Sequence, residues 1–450
     1  MTSSAALRPQ PTQPRPFHFP PFERTQLTNG LTVWLLALPE REVANVHLLV
    51  DAGAASEEEA HGGEAALTAR LLVTGTRRLD AAAFAEATER LGIEVSSESS
   101  WDFARAAFQA LPRYVDEGLA LLAEMVREPR FDASEFDRLR SERLADIMQA
   151  RADPSRLADE MFLRHTYASG SPYGRLSAGV PETVGALTLD DVKAFHRASY
   201  LPSSAHLIIA GGFDRDDVLR AVEDRLGDWS GEGQPHRDIA ATPAGPRRVV
   251  LVDRPGSVQT EIRVGLIGID RHDPRFFPAT VMTTLLGGVF GSRLNIRLRE
   301  ELGYTYGAHA ALDPRRSAGP LVARAGVHTE VTVPAITETL SELDKLRIEV
   351  PPEDQLRTVK DFLIGVFPLR FETTGGLSAA LEPLAIYGLP DDWWSNYRDN
   401  LEAVTADAVH RSAMELLRPD DYLILAVGDA ARVGNELAAA NFGPLERAAD

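Results

Sequence analysis

Apolar positions change their spacing repeatedly along the chain, and each change marks an element. Gln26-Leu-Thr-Asn-Gly-Leu-Thr-Val-Trp-Leu35 carries two apolar runs about an Asn29-Gly30 turn and predicts a β-hairpin. Val43–Val50 predicts another strand, and His206–Ala210 and Tyr422–Val427 are apolar runs of strand length. From Leu111 to about Glu128, and from Ala133 to Ala152, apolar residues recur at helical spacing. Helices that follow and flank strands, instead of alternating strictly with parallel ones, point to an α+β architecture.

The pattern occurs twice. Leu187-Thr-Leu-Asp-Asp-Val192 returns as Val404-Thr-Ala-Asp-Ala-Val409, Leu201-Pro202 as Arg418-Pro419, and Ile209-Ala-Gly211 as Ala426-Val-Gly428. Thr188, Pro202 and Gly211 each find their counterpart 217 positions on (405 − 188, 419 − 202, 428 − 211). Each copy reads as a Thr-capped helix, a Pro-marked turn and a strand ending at Gly, with Thr188 and Asp191 predicted to form a capping box. Arg248–Val252 and Glu261–Ile267 stand where the first two strands stand in the first copy. The expected organisation is a Pro-rich tail at 1–21, a first domain at 22–230, a Gly/Pro/polar linker at 231–246 and a second domain at 247–450. Both domains are expected to hold an antiparallel-rich sheet packed with helices.

Composition narrows the partners. Against 66 Asp+Glu there are 47 Lys+Arg, a formal charge of −19, which argues against nucleic acid as the main partner. The absence of cysteine removes thiolate nucleophiles, disulfides and Cys-type metal sites. No apolar run approaches the length of a membrane span. The first 21 residues carry six prolines and no apolar core of a signal peptide, so the chain as written is expected in the cytoplasm, or in the periplasm if an export signal was removed.

The segment Ser56–Thr76 resembles the start of the pitrilysin-type (inverzincin) metallopeptidases, whose first domain carries H-x-x-E-H on a helix ahead of a Gly-Thr. Two His at i and i+4 share one helix face and ligate zinc, while the Glu acts on the metal-bound water. Counting back from Gly75-Thr76 places the motif at residues 66 to 70, where this chain has Ala66, Ala69 and Arg70. The family's remaining ligand is a Glu seven positions after a Glu-Arg pair; Glu142-Arg143 is present and the ligand position is Gln149. The resemblance therefore implies a degenerate site with no metal and no cofactor in this chain. His61-Gly-Gly-Glu64 is a rival H-x-x-E, but Ala65 stands where the second His would be and Gly62-Gly63 is a poor helix interior. It reads as a polar turn ahead of the helix Ala65–Leu72.

The family's second functional segment is similar to Leu286–Gly307: a Gly-rich turn, Ser-Arg-Leu, a helix ending in Leu-Arg-Glu, a Gly and a strand beginning with Tyr. Ser292 is expected to cap the helix, Leu294 and Leu298 to line one face, Gly303 to stop it, and Tyr304 and Tyr306 to share one side of the strand. In relatives an Arg and a Tyr seven apart hold the substrate carbonyl and stabilise the oxyanion. Carried over, that pair is Arg299 and Tyr306, with Arg297 and Tyr304 as the alternative register. Gly287 and Gly288 are candidate substrate contacts, with a simple helix-entry turn as the other reading.

The resemblance implies the zinc-free subunit of a heterodimeric, mitochondrial processing peptidase-like bacterial zinc protease, inactive alone. A homologous partner would supply H-x-x-E-H and zinc, and the substrate would be an unfolded peptide. The alternative is a catalytically inactive scaffold or binding protein of the same fold.

Overall fold

The computed structural model describes residues 15–231 and 239–449. Most of the expected tail and residues 232–238 of the expected linker lie outside the described residues. Residues 15–21 do not extend away as a polyproline tail would. Their two phenylalanines stand on either side of His18, between prolines, and the rings find partners: Phe17 stacks on Phe371 at 5.5 Å and Phe19, 8% exposed, meets the same ring edge-on at 5.2 Å. Aromatic area of that size, once buried, outweighs the preference of proline for open extension.

Twelve strands form two six-stranded sheets. The first holds β1 (Glu23–Gln26), β2 (Thr32–Ala37), β3 (Ala44–Val50), β4 (Glu94–Ser99), β5 (Ala104–Ala110) and β6 (Ala205–Gly211), in the order β1-β2-β6-β3-β5-β4. The second holds β7 (Arg248–Asp253), β8 (Gln259–Ile267), β9 (Thr305–Leu312), β10 (Pro320–His328), β11 (Leu423–Gly428) and β12 (Leu445–Ala448), in the order β12-β7-β11-β8-β10-β9. Five strands correspond one to one between the sheets. All pairs are antiparallel except β2–β6, β7–β11 and β7–β12. The expected hairpin is β1–β2, with Gly30 at φ +95° and the Asn29 amide donating to Leu226 O at 2.7 Å. The repeated helices Leu189–Ser199 and Ala406–Leu416 both open on a threonine cap. Only the first has the full box, because position 408 is Ala where the first copy has Asp191.

Three further helices matter for the site. α1 spans Glu64–Leu72, α2 Ala133–Ala152 and α3 Pro154–Thr166. Asp153 joins the last two: it ends α2, and its side chain accepts from Ser155 N and Arg156 N at the start of α3, with Pro154 in the first turn. α2 buries only Phe136, Leu139 and Ile147 and is otherwise a solvated helix laced by ion pairs such as Arg138–Glu142.

Each half covers the other's sheet. α3, from the first half, lays Leu157, Met161 and Phe162 on Val250, Val252, Leu423 and Leu425 of the second sheet. Gly265 on β8 makes room, since a Cβ there would lie 2.9 Å from the Phe162 ring. In return α4 (Thr374–Tyr387) covers β3 and β6 of the first sheet. Full burial contributes about 1.5–3 kcal/mol for each such side chain, so neither half keeps a complete core alone. The halves also meet at their hairpin tips. Asp102, 3% exposed, accepts from Tyr173 OH at 2.6 Å, Tyr387 OH at 3.1 Å and Arg316 N at 3.1 Å, and Arg315 stacks on Trp101 at 3.6 Å. The hairpin β9–β10 is thereby anchored at its turn.

Candidate functional site

In the first half, α1 begins at Gly63, whose φ of +98° suits glycine, and the polar turn before it is a short helical turn at Glu59–His61. Ala69 is buried, while Ala66 and Arg70 share the half-buried face one turn apart. Arg70 reaches α2, with Nη2 2.9 Å from Glu142 Oε2 and Nη1 3.7 Å from Asp146 Oδ2. Glu142, Asp146 and Gln149 follow one another at i, i+4 and i+7 along one exposed face of α2, and the first two are the partners of Arg70.

This arrangement does not fit zinc. A guanidinium is a permanent cation without an acceptor, and the two alanines offer no donor atom. His61 and Glu64 do lie together, with Nδ1 3.4 Å from Oε2. Burial, reinforced by the charge of Glu57, pushes the Glu64 carboxyl up to about 8, so near neutral pH it is largely protonated. Glu57 accepts from Gly63 N and Ala65 N in the first turn of α1, yet burial still raises it to about 7. Among the described residues no group of three or more His, Asp or Glu side chains could hold a metal ion.

In the second half the predicted helix is wider than an α-helix. Two π-helical stretches, Thr284–Gly288 and Asn295–Glu301, flank the glycine-rich turn, and Leu302 N bonds Arg297 O across five residues. Such widened turns are rare and cluster at functional sites. Gly303 at φ +65° ends the second stretch as expected. Gly287 is buried against β9: a Cβ there would sit 2.2 Å from Ala310 N, so its glycine identity serves close packing. Gly288 is exposed.

Ser292 does not cap with its side chain. Its carbonyl accepts from Ile296 N at 2.9 Å, but Oγ is buried without a partner. The polar anchor is Asn295, 4% exposed, whose Nδ2 donates to Val289 O at 3.3 Å and whose Oδ1 accepts from Ala308 N at 2.9 Å. One amide thus ties the glycine-rich turn to β9.

The two tyrosines do not share a side. β9 begins at Thr305, and its register against β10 shifts: Thr305 pairs with Val327 but Ala308 with Ala325, so Tyr306 and Gly307 together oppose Gly326. The extra residue breaks the alternation. Thr305 Oγ1 holds the bulge, accepting from Gly307 N at 3.1 Å and lying 2.7 Å from Gly326 O. Tyr304 consequently packs on the core while Tyr306 is 85% exposed. The arginines divide likewise. Arg297 is bound between Glu338 at 2.8 Å and Glu301 at 2.7 Å, whereas among the described residues Arg299 has its neighbour Glu300 at 3.6 Å as its ion-pair partner and lies over the Phe290 ring at 4.6 Å.

Asn295 and Phe290 were not singled out from the sequence. An Asn inside a helical pattern was the available signal for the first, since its side chain competes with helical hydrogen bonds. A large aromatic between Gly288 and Gly291 was the signal for the second.

Comparison with known proteins adds the following. Residues 32–176 match the family described as insulinase (peptidase family M16), and residues 186–363 match the peptidase M16 inactive domain. An uncharacterized zinc protease of Streptomyces coelicolor is 27% identical over 368 residues, covering 79% of this chain and 78% of that protein. The non-peptidase homolog YmxG of Helicobacter pylori is 23% identical over 335 residues, 73% of this chain and 76% of that protein. The crystal structure of a peptidase M16 inactive domain from Pseudomonas fluorescens superposes with a TM-score of 0.84 at 24% identity, covering 91% of this chain and 98% of that one.

Proposed function

Since the chain belongs to the M16 (insulinase) peptidase family, we propose that it is the zinc-free subunit of a two-chain metallopeptidase. Its part is to hold an extended peptide by a backbone carbonyl through Arg299 and Tyr306, while a homologous subunit supplies H-x-x-E-H and the metal. The observation that carries this reading is the contrast between the two half-sites. Where relatives bind zinc, Arg70 is engaged with Glu142 and Asp146; in the second half Tyr306 is exposed, and the half-buried Arg299 has a carboxylate no nearer than Glu300 at 3.6 Å among the described residues. A guanidinium and a phenol both donate to oxygen, and donors fixed before reaction stabilise the charge that grows on a carbonyl under attack. Of the two registers, Arg299/Tyr306 is the one with free donors, because Arg297 is spent on two glutamates and Tyr304 on the core. Zinc chemistry belongs to the partner, since among the described residues no cluster of His, Asp or Glu could hold a metal ion in its place.

The second reading, a scaffold or binding protein, is supported by the similarity to YmxG, which is named a non-peptidase homolog. The two readings separate in one experiment. The chain is assayed alone and with a homologous zinc-bearing chain, for metal content and for cleavage of an unstructured peptide. Cleavage is expected only in the mixture. Arg299→Ala or Tyr306→Phe should each lower turnover by about 10²–10³, the usual cost of one oxyanion donor, with zinc content unchanged. Rates untouched by both substitutions would leave the scaffold.

A further inference from the structure

Arg299 is held in an unusual way for a surface guanidinium. Among the described residues no carboxylate grips it in the way Glu338 and Glu301 grip Arg297, two positions earlier on the same helical stretch. Instead its planar group lies over the Phe290 ring at 4.6 Å. Phe290 is 67% exposed and so adds little to the core. It projects from the turn between Gly288, which is exposed, and Gly291, where an added Cβ would meet nothing within 4 Å. That turn is not loose, because Asn295 binds Val289 O next to Phe290 and Ala308 N beyond the Tyr306 bulge.

We propose that Phe290 is a positioning residue: it holds Arg299 by its face so that the N–H fork stays free for the substrate carbonyl. The inference rests on the reading of Arg299 given above and goes beyond it. The physical basis is the geometry of the two kinds of hold. A carboxylate engages a guanidinium in its plane and occupies the donors that a substrate needs. A ring engages it from above, through the quadrupole, and leaves the in-plane donors unoccupied. The same helical stretch displays both cases, with Arg297 held in plane and Arg299 from above.

Two measurements test this. In protein carrying ¹⁵N-labelled arginine, the Arg299 Hε resonance, assigned by Arg299→Lys, should be shifted upfield by the ring current. It should return to the ordinary arginine range in Phe290→Leu and stay shifted in Phe290→Tyr. An Hε that does not respond to Phe290→Leu overturns the proposal. The second measurement follows the anisotropy of a fluorescein-labelled unstructured peptide of Ala, Gly, Ser and Leu on the full chain. Phe290→Leu should weaken binding about two- to fivefold, the range for an exposed cation–π contact, and Phe290→Tyr should restore it. In an Arg299→Ala background Phe290→Leu should have no effect. An equal loss in both backgrounds would make Phe290 a direct contact and overturn the positioning role alone. Failure of wild type to bind, or binding indifferent to Arg299→Ala, overturns the functional reading and this inference with it.

Discussion

Replacing Asn295 should loosen the second half-site without unfolding the chain. Asn295→Ala removes the acceptor of Ala308 N, a group on a fully buried residue, and the donor to Val289 O. A buried N–H left without a partner costs about 1–3 kcal/mol. The longer bond to Val289, at 3.3 Å, adds less than a typical net hydrogen bond of about 1 kcal/mol. The expected total is about 1–4 kcal/mol, confined to the contact between the turn and β9. Asn295→Asp separates shape from charge. Its carboxylate still accepts from Ala308 N, but the other oxygen faces the Val289 carbonyl. Burial and that carbonyl both raise the pKa of the introduced acid. A folded pKa above the unfolded one means stability that is complete at low pH and lost as pH rises through the folded pKa. Asn295→Asp should therefore match wild type in acid and approach Asn295→Ala at neutral pH. Urea unfolding gives the totals, and amide exchange at Ala308 locates them. Unchanged exchange at Ala308 in Asn295→Ala, with stability within about 0.5 kcal/mol of wild type, would refute the account.

Further expectations concern the junction, the degenerate site and pH. Asp102→Ala leaves Tyr173 OH, Tyr387 OH and Arg316 N without their acceptor and should cost about 3–6 kcal/mol in urea unfolding, whereas a loss under 1 kcal/mol would show the hairpin tips are not a lock. Arg70→Ala should cost only about 0.2–1 kcal/mol, because Arg70 and its partners are partly solvated. It should add no zinc by elemental analysis, since removing the guanidinium leaves no imidazole; bound zinc would refute the assignment. Glu57 and Glu64 sit at about 7 and about 8 against an ordinary 4.5, so their contribution is complete below about 4.5 and lost as pH rises through those values. Buried His196 and His206, held down at about 4, act oppositely only below about 6.5. Stability should thus fall between pH 6.5 and 8, and a Glu57→Gln, Glu64→Gln double variant should flatten the fall; an equal slope in the variant would rule these groups out.

What the sequence showed and what it hid follow from range. The repeat, the caps at Thr188 and Thr405, the hairpin at Asn29-Gly30 and the helix stop at Gly303 are local, each written in a handful of adjacent residues. The exchange of α3 and α4 between the halves is not, because an amphipathic helix does not state which sheet it will cover. The bulge at Tyr306 escaped for a related reason. Strict alternation put Tyr304 and Tyr306 together, and only the register against β10 shows the additional residue.

The two candidate half-sites differ in their electrostatics. Two carboxylates on one face of α2, pointing at α1, would repel each other without a cation between the helices. Arg70 supplies that cation from within the chain, at a small gain in stability because all three groups are partly solvated. A permanent guanidinium also disfavours a divalent ion there by charge, beside two alanines that offer no donor atom. The second half-site has no such internal compensation. Tyr306 is lifted out of the sheet by a bulge that costs β9 part of its ladder, and Arg299 is left without an in-plane carboxylate although Arg297 has two. An exposed phenol and a guanidinium held by a ring are groups that suit an oxygen acceptor arriving from outside, which is what the proposed function requires of them.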